Sequence, residues 1–182
     1  MVASIYLKKY RECRLWVNET NGLPFTKAEN VLEKDIPSSI KKTTGIIQMA
    51  LELSLPRDSS YYALVGFVCK SDDNQSNTKI IVLTSNERLI YSSETLSVSY
   101  DKIFVGIAEE YGQSVLDSAV ETINELGGLS SGEINFNIGA YAECGSSKAI
   151  FAQATRILIK LSQFDLLNMT EAEIQNEIES ML

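Results

Sequence analysis

Residues 139–151 read Gly-Ala-Tyr-Ala-Glu-Cys-Gly-Ser-Ser-Lys-Ala-Ile-Phe, and across them the hydrophobic period changes from two to 3.6. Upstream, Ile134, Phe136, Ile138 and Ala140 alternate with Glu133, Asn135, Asn137 and Gly139, the pattern of a strand with one buried face. Downstream, Ile150, Phe151, Ala154, Ile157, Leu158, Leu161 and Phe164 recur at helical spacing. Between them, Ser146 or Ser147 can accept a hydrogen bond from a free N–H in the first turn, so the helix starts where the alternation stops. A strand feeding straight into a helix commits this part of the chain to packed sheet and helix layers.

The same reading extends outward. Ile47, Met49, Leu51, Leu53 and Leu55 alternate with Gln48, Ala50, Glu52 and Ser54, and Tyr61–Cys69 follows the Pro56–Ser60 turn as an apolar strand, so a hairpin is expected. After the polar loop 71–78, Lys79–Thr84 returns as a strand, and Arg88–Tyr91 and Leu96–Tyr100 are shorter strand candidates. Leu116, Ala119, Val120, Ile123 and Leu126 line one face of a helix over 109–126, stopped by Gly127-Gly128. Thr170 and Glu173 form a capping box before a terminal helix with Ile174, Ile178 and Leu182 on one stripe. In the first forty-five residues periodicity is weak, and Thr26 with Glu29 suggests a capping box and a short helix closed by Pro37. The expected organisation is an N-terminal extension over 1–45, an α+β domain over 46–164 with a mixed sheet and helices on one face, and a C-terminal amphipathic helix over 165–182.

Composition narrows the chemistry. The chain has 182 residues, 45% of them hydrophobic, enough for one sizeable core. Its longest apolar run, Tyr61–Cys69, is far short of a membrane span, and Lys8, Lys9, Arg11 and Arg14 interrupt the first sixteen residues, so a cytoplasmic protein without a membrane partner is expected. Histidine is absent, which removes Ser-His and Cys-His catalysis and His metal sites. The three cysteines, Cys13, Cys69 and Cys144, have neither the pairing of a disulfide framework nor that of a zinc site. Net charge is -8, divided into +3 over 1–45 and -11 over 46–182, which disfavours direct nucleic-acid binding by the main body.

The junction also carries a resemblance. Residues 139–151 resemble the segment G-S-Y-H-E-V-D-S-S-E-L-A-F of domain IV of bacterial translation elongation factor G, with Gly139, Tyr141, Glu143, Ser146, Ser147 and Phe151 coinciding in register, six of thirteen positions. Gly106, Ile107, Glu110 and Tyr111 are similar to that family's G-x-I-P-x-E-Y, with Ala108 where proline is usual. The resemblance covers roughly 46–164 and implies the ribosomal protein S5 domain 2-like fold, a two-layer α/β sandwich with a left-handed βαβ crossover. It also implies a translation- or ribosome-associated role with a protein or ribonucleoprotein partner. Ala142 stands where the family has histidine, Gly145 where it has aspartate, and Gly45 alone where it has a glycine-rich loop. No Gly-x-x-x-x-Gly-Lys-[Ser/Thr] phosphate loop exists, so the family's GTPase motor is missing.

These observations point to a non-enzymatic binding domain, without a cofactor or bound metal, whose candidate interaction loop is Tyr141, Glu143, Ser146, Ser147 and Lys148. Tyr141 and Glu143 fall on the strand face opposite Ile138 and Ala140, toward solvent or an edge. Ser146 and Ser147 read first as helix caps and second as an anion site. Cys144 shares the phase of Ile138 and Ala140 and is expected to be a buried packing residue. Glu109, Glu110, Asp117, Glu121 and Glu125 give the first long helix an acidic side, read as solvated. Asp72, Asp73 and Asn74 lack the oxygen pattern of a calcium loop. Two alternatives stand beside this reading: an enzyme of the same fold acting on a nucleotide or RNA, and a homo-oligomeric assembly subunit.

Overall fold

The computed structural model describes residues 1–39, 46–56 and 58–182. Among these residues, eight strands form one sheet: β1 (Val2–Tyr6), β2 (Glu12–Val17), β3 (Asn30–Pro37), β4 (Gln48–Ser54), β5 (Tyr62–Ser71), β6 (Asn77–Thr84), β7 (Ile103–Val105) and β8 (Gly132–Ala142). Among the described residues, three α-helices accompany them: α1 (Glu109–Glu125), α2 (Lys148–Leu161) and α3 (Glu171–Met181). The strand order is β1-β2-β4-β5-β8-β6-β3, with β7 also paired to β8. Every pairing is antiparallel except β6 with β8, which are parallel and joined through α1, the crossover that a parallel pair requires. The chain is therefore α+β with a mixed sheet. α1 packs on β3 and β6, α2 on β4 and β5, and the two helices on each other.

The expected hairpin is β4–β5, and the 109–126, 148–164 and 171–182 helical stripes are α1, α2 and α3. Gly127 and Gly128, both with positive φ, end α1, and Gly128 N–H donates to Ile123 O at 2.8 Å. Thr170 and Glu173 make the capping box of α3, whose Ile174 and Ile178 are buried. Among the described residues, no helix is long and apolar enough to cross a membrane.

The first forty-five residues depart most from expectation. β1 and β2 form a hairpin that continues the sheet beyond β4, and the expected short helix closed by Pro37 is instead strand β3, paired along β6. Its supposed capping residues are bound elsewhere. Thr26 N–H donates to Asn137 O at 2.7 Å, and the Thr26 hydroxyl accepts from Ile107 N–H at 3.1 Å. The Glu29 carboxylate accepts from Asn86 N–H at 2.7 Å. An otherwise bare β6 edge and tertiary hydrogen bonds outweigh a local helix signal here. Gly45 lies outside the described residues.

Two further corrections fall near the 88–105 segment. Arg88–Tyr91 makes a single bridge, Ile90 to Phe104, supported by Val105 N–H to Leu89 O and Tyr91 N–H to Ile103 O, both 2.8 Å. Leu96–Tyr100 is not a strand, and the strand in this region is β7.

The registers show why β8 does not keep one buried face. Phe67 pairs with Phe136 while its neighbour Gly66 pairs with Ile138, leaving Asn137 as an extra residue in β8. Ile134 and Phe136, which also pair with Ile80 and Val82, face the helices, and Ile138 and Ala140 face the other way. The bulge brings Gly139 and Tyr141 round to the helix side.

Candidate functional site

The candidate loop lies where β8 ends and α2 begins, at the end of the molecule from which both α1 and α2 start. Tyr141 is buried rather than turned to solvent. Its ring lies 5.4 Å from Phe104 and 5.8 Å from Tyr111, centroid to centroid, and Tyr111 stacks on Phe151 at 4.7 Å. Burial pushes the Tyr141 phenol up from its ordinary value, with Arg88 opposing. Tyr141 does lie on the face opposite Ile138 and Ala140, but that face is covered rather than open, because the register shift in β8 turns it toward the helices, and both faces are buried here.

Beyond Ala142 the chain turns under tight backbone control. Glu143 N–H donates to Lys102 O at 2.8 Å, and Cys144 N–H donates to the Asp101 carboxylate at 3.0 Å. Tyr61 and Tyr62 N–H both donate to Gly145 O, at 2.8 and 3.1 Å. A Cβ on Gly145 would fall inside the Tyr61 ring, so glycine at this position is the consequence of that aromatic contact. Cys144 is exposed, not packed, because β8 ends at Ala142 and the alternation stops two residues before it.

The two serines have different tasks. The Ser146 hydroxyl accepts from Ala142 N–H at 2.8 Å and donates to Tyr62 O at 2.6 Å, which ties the turn to β5. Ser147 is the N-cap of α2, its hydroxyl accepting from Ile150 N–H at 3.5 Å and hydrogen-bonded to the Ser60 hydroxyl. Lys148, the first residue of α2, is exposed. Glu143 is exposed and ion-paired with Arg88, whose guanidinium lies 4.5 Å over the Phe104 ring. Of the five candidate residues, then, Glu143 and Lys148 are presented outward, Ser146 and Ser147 hold the turn, and Tyr141 supports it from within.

The surroundings add residues that alternation did not single out. Leu89, Ile90 and Tyr100 are 58%, 61% and 83% exposed. Ile90 pairs with Phe104, which pairs with Tyr141, and Leu89 O accepts from Val105 N–H, so Leu89 and Ile90 share the end that carries the Arg88–Glu143 pair. Their sequence signal is faint, since they lie in a Ser- and Thr-rich stretch with no sustained period.

Behind this end lies a sealed polar cluster. Glu52 is 1% exposed, and its carboxylate accepts from Tyr62 Oη and Leu96 N–H, each at 2.8 Å. Its second oxygen faces Arg14 Nη1 at 3.6 Å. Burial raises the Glu52 carboxyl from its ordinary value, and the hydrogen bonds from Leu96 and Tyr62 and the charge of Arg14 pull the other way. The cluster anchors the 85–101 segment across the sheet, with Tyr91 and Val98 packed on the core. Among the described residues, no group of Cys, Asp and Glu is placed to hold a metal ion. No family model, curated protein or solved structure matches this chain.

Proposed function

We propose that this chain is a non-enzymatic binding domain that resembles domain IV of elongation factor G, has the S5 domain 2-like fold, and engages a protein or ribonucleoprotein partner. The observation that carries the reading is the exposure of Leu89 and Ile90, next to Arg88 and its partner Glu143, at the end where both long helices begin, with Tyr100 also exposed in the same 85–101 segment. Large apolar side chains next to a charged rim form a partner-binding surface, and the hydrogen-bonded turn 142–147 holds that surface in one geometry before binding. The fold half of the proposal is supported by the element order β4-β5-β6-β7-α1-β8-α2, with β8 between β5 and β6 and parallel to β6.

The translation-linked part is tested by co-sedimentation with ribosomes at low salt. The protein is expected in the ribosomal pellet, and Ile90→Lys and Tyr100→Lys are expected to leave it in the supernatant while keeping the wild-type circular dichroism melt. Wild-type protein that stays in the supernatant ends the ribosomal assignment. A pull-down with and without nuclease then separates direct protein contacts from RNA-bridged ones. A right-handed crossover between β6 and β8 would exclude the S5 domain 2-like assignment.

A further inference from the structure

A second surface lies on the opposite flank of the sheet. β3 is its last strand, paired among the described residues with β6 alone, so its outer edge offers backbone N–H and C=O groups over Asn30–Pro37. Beside that edge runs α1, and between them lies a groove of about 860 Å³. Leu32, Leu116 and Val120 give it an apolar floor, and Asp117 and Glu121 an acidic rim. These α1 residues are not scattered: 113, 116, 117, 120, 121 and 124 fall at helical spacing along one stripe facing the strand. Strand and helix also match in reach, since eight strand residues and seventeen helical ones each extend roughly 25 Å.

We propose that this groove binds an extended, basic-apolar peptide segment of a partner protein, which adds to the sheet along β3 and sends every second side chain toward α1. The proposal rests on the reading of the chain as a binding domain but not on the surface at the other end. The β3 edge provides main-chain hydrogen bonds for such a strand, and the α1 stripe provides the side-chain selection. The charge of the occupant follows from the rim. Glu125 is engaged by Arg156 at 3.0 Å and Lys160 at 3.6 Å, whereas the Asp117 carboxylate accepts only a neutral Gln113 amide at 2.8 Å. Asp117 and Glu121 therefore outweigh Lys34, the one cation lining the groove among the described residues, in a domain that is -11 over 46–182. Glu33, Lys34, Asp35 and the terminal Pro37 keep the edge from pairing indiscriminately, so a docking strand must bring apolar side chains at groove positions and Lys or Arg opposite the rim.

The test is selection of phage-displayed random dodecapeptides against the full chain, followed by fluorescence anisotropy of the enriched peptides and amide-shift mapping. Enriched sequences are expected to alternate apolar residues with Lys or Arg, and the shifts to concentrate in β3 and α1. Val120→Lys, and separately the Asp117→Lys/Glu121→Lys pair, should each weaken binding about tenfold or more. Both change side chains that are at least partly exposed, and thermal melts check that the variants fold. Ile90→Lys, at the other end, should leave peptide affinity unchanged, which separates this site from the ribosomal test. The proposal is overturned by a selection that enriches nothing or enriches acidic peptides, or by peptides that retain affinity for both groove variants. Light scattering that shows concentration-dependent self-association through β3 would assign the groove to a second copy and likewise overturn it.

Discussion

The flank β2-β4-β5 and the flank β6-β3 belong to one sheet but obey different rules. In β4, Met49, Leu51 and Leu53 on one side and Ala50, Glu52 and Ser54 on the other are all buried, because α2 covers one face and the 85–101 segment the other. In β3 only Ile36 is buried, and Val31, Glu33 and Asp35 are exposed. Burial on both faces turns a carboxylate such as Glu52 into an internal anchor, whereas burial on one face leaves an edge and a groove free for binding. The sharpest test of this contrast is a pair of truncations. Leu51→Ala should cost about 2–5 kcal/mol in urea unfolding, and Val31→Ala should stay within about 0.5 kcal/mol. Equal costs would mean that β3 is covered as β4 is.

The same contrast explains what could be read in the sequence. The β4–β5 hairpin, α1, α2 and the Thr170 cap were legible because their signals are local: alternation, helical stripe, hydroxyl and glycine. β3 was not, since an edge strand packed against a helix over part of one face lacks a clear period, and Thr26 and Glu29 offered a local helix start that tertiary bonds to Asn137, Ile107 and Asn86 override. β1, β2 and β7 were missed for a related reason, being short strands whose place depends on a neighbour. At the candidate site, the capping role of Ser147 was visible in the residue type. The burial of Tyr141 was not, because past the extra residue at Asn137 both faces of β8 are covered, Tyr141 turning toward the helices and Ile138 and Ala140 away from them, and no side-chain pattern announces a bulge.

A smaller effect, with a pH signature, is expected from the sealed cluster. Burial raises the Glu52 carboxyl, so within the window between its ordinary and its folded value the folded chain binds more protons than the unfolded one. This group's favourable contribution is therefore full below the window and lost as pH rises through it. Arg14, whose guanidinium also lies 5.7 Å over Trp16, is the cation that offsets the buried charge. Arg14→Met should cost about 1–3 kcal/mol where Glu52 is ionised and less on the acid side of its raised titration, where the carboxyl holds its proton. In the Glu52→Gln background that pH difference should vanish. Urea midpoints across this range measure it, and an equal cost at both ends would show that Arg14 acts through its packing on Trp16 instead.

The smallest stability effect belongs to the most exposed pair. Arg88 and Glu143 retain 59% and 38% of their side-chain exposure, so water screens their attraction and the long arginine loses freedom in forming it. A double-mutant cycle with Arg88→Met and Glu143→Gln should give a coupling of about 0.2–1 kcal/mol, reduced further in high salt. Arg88→Met should nevertheless cost slightly more than Glu143→Gln, because the guanidinium also covers the Phe104 ring, a contact that salt does not screen in the same way. If this end is the working surface, both substitutions should change partner binding more than they change the melt. A coupling above about 2 kcal/mol would instead identify the pair as part of the structural framework, like Glu52 and Arg14, and remove the distinction between the anchored interior and the displayed end.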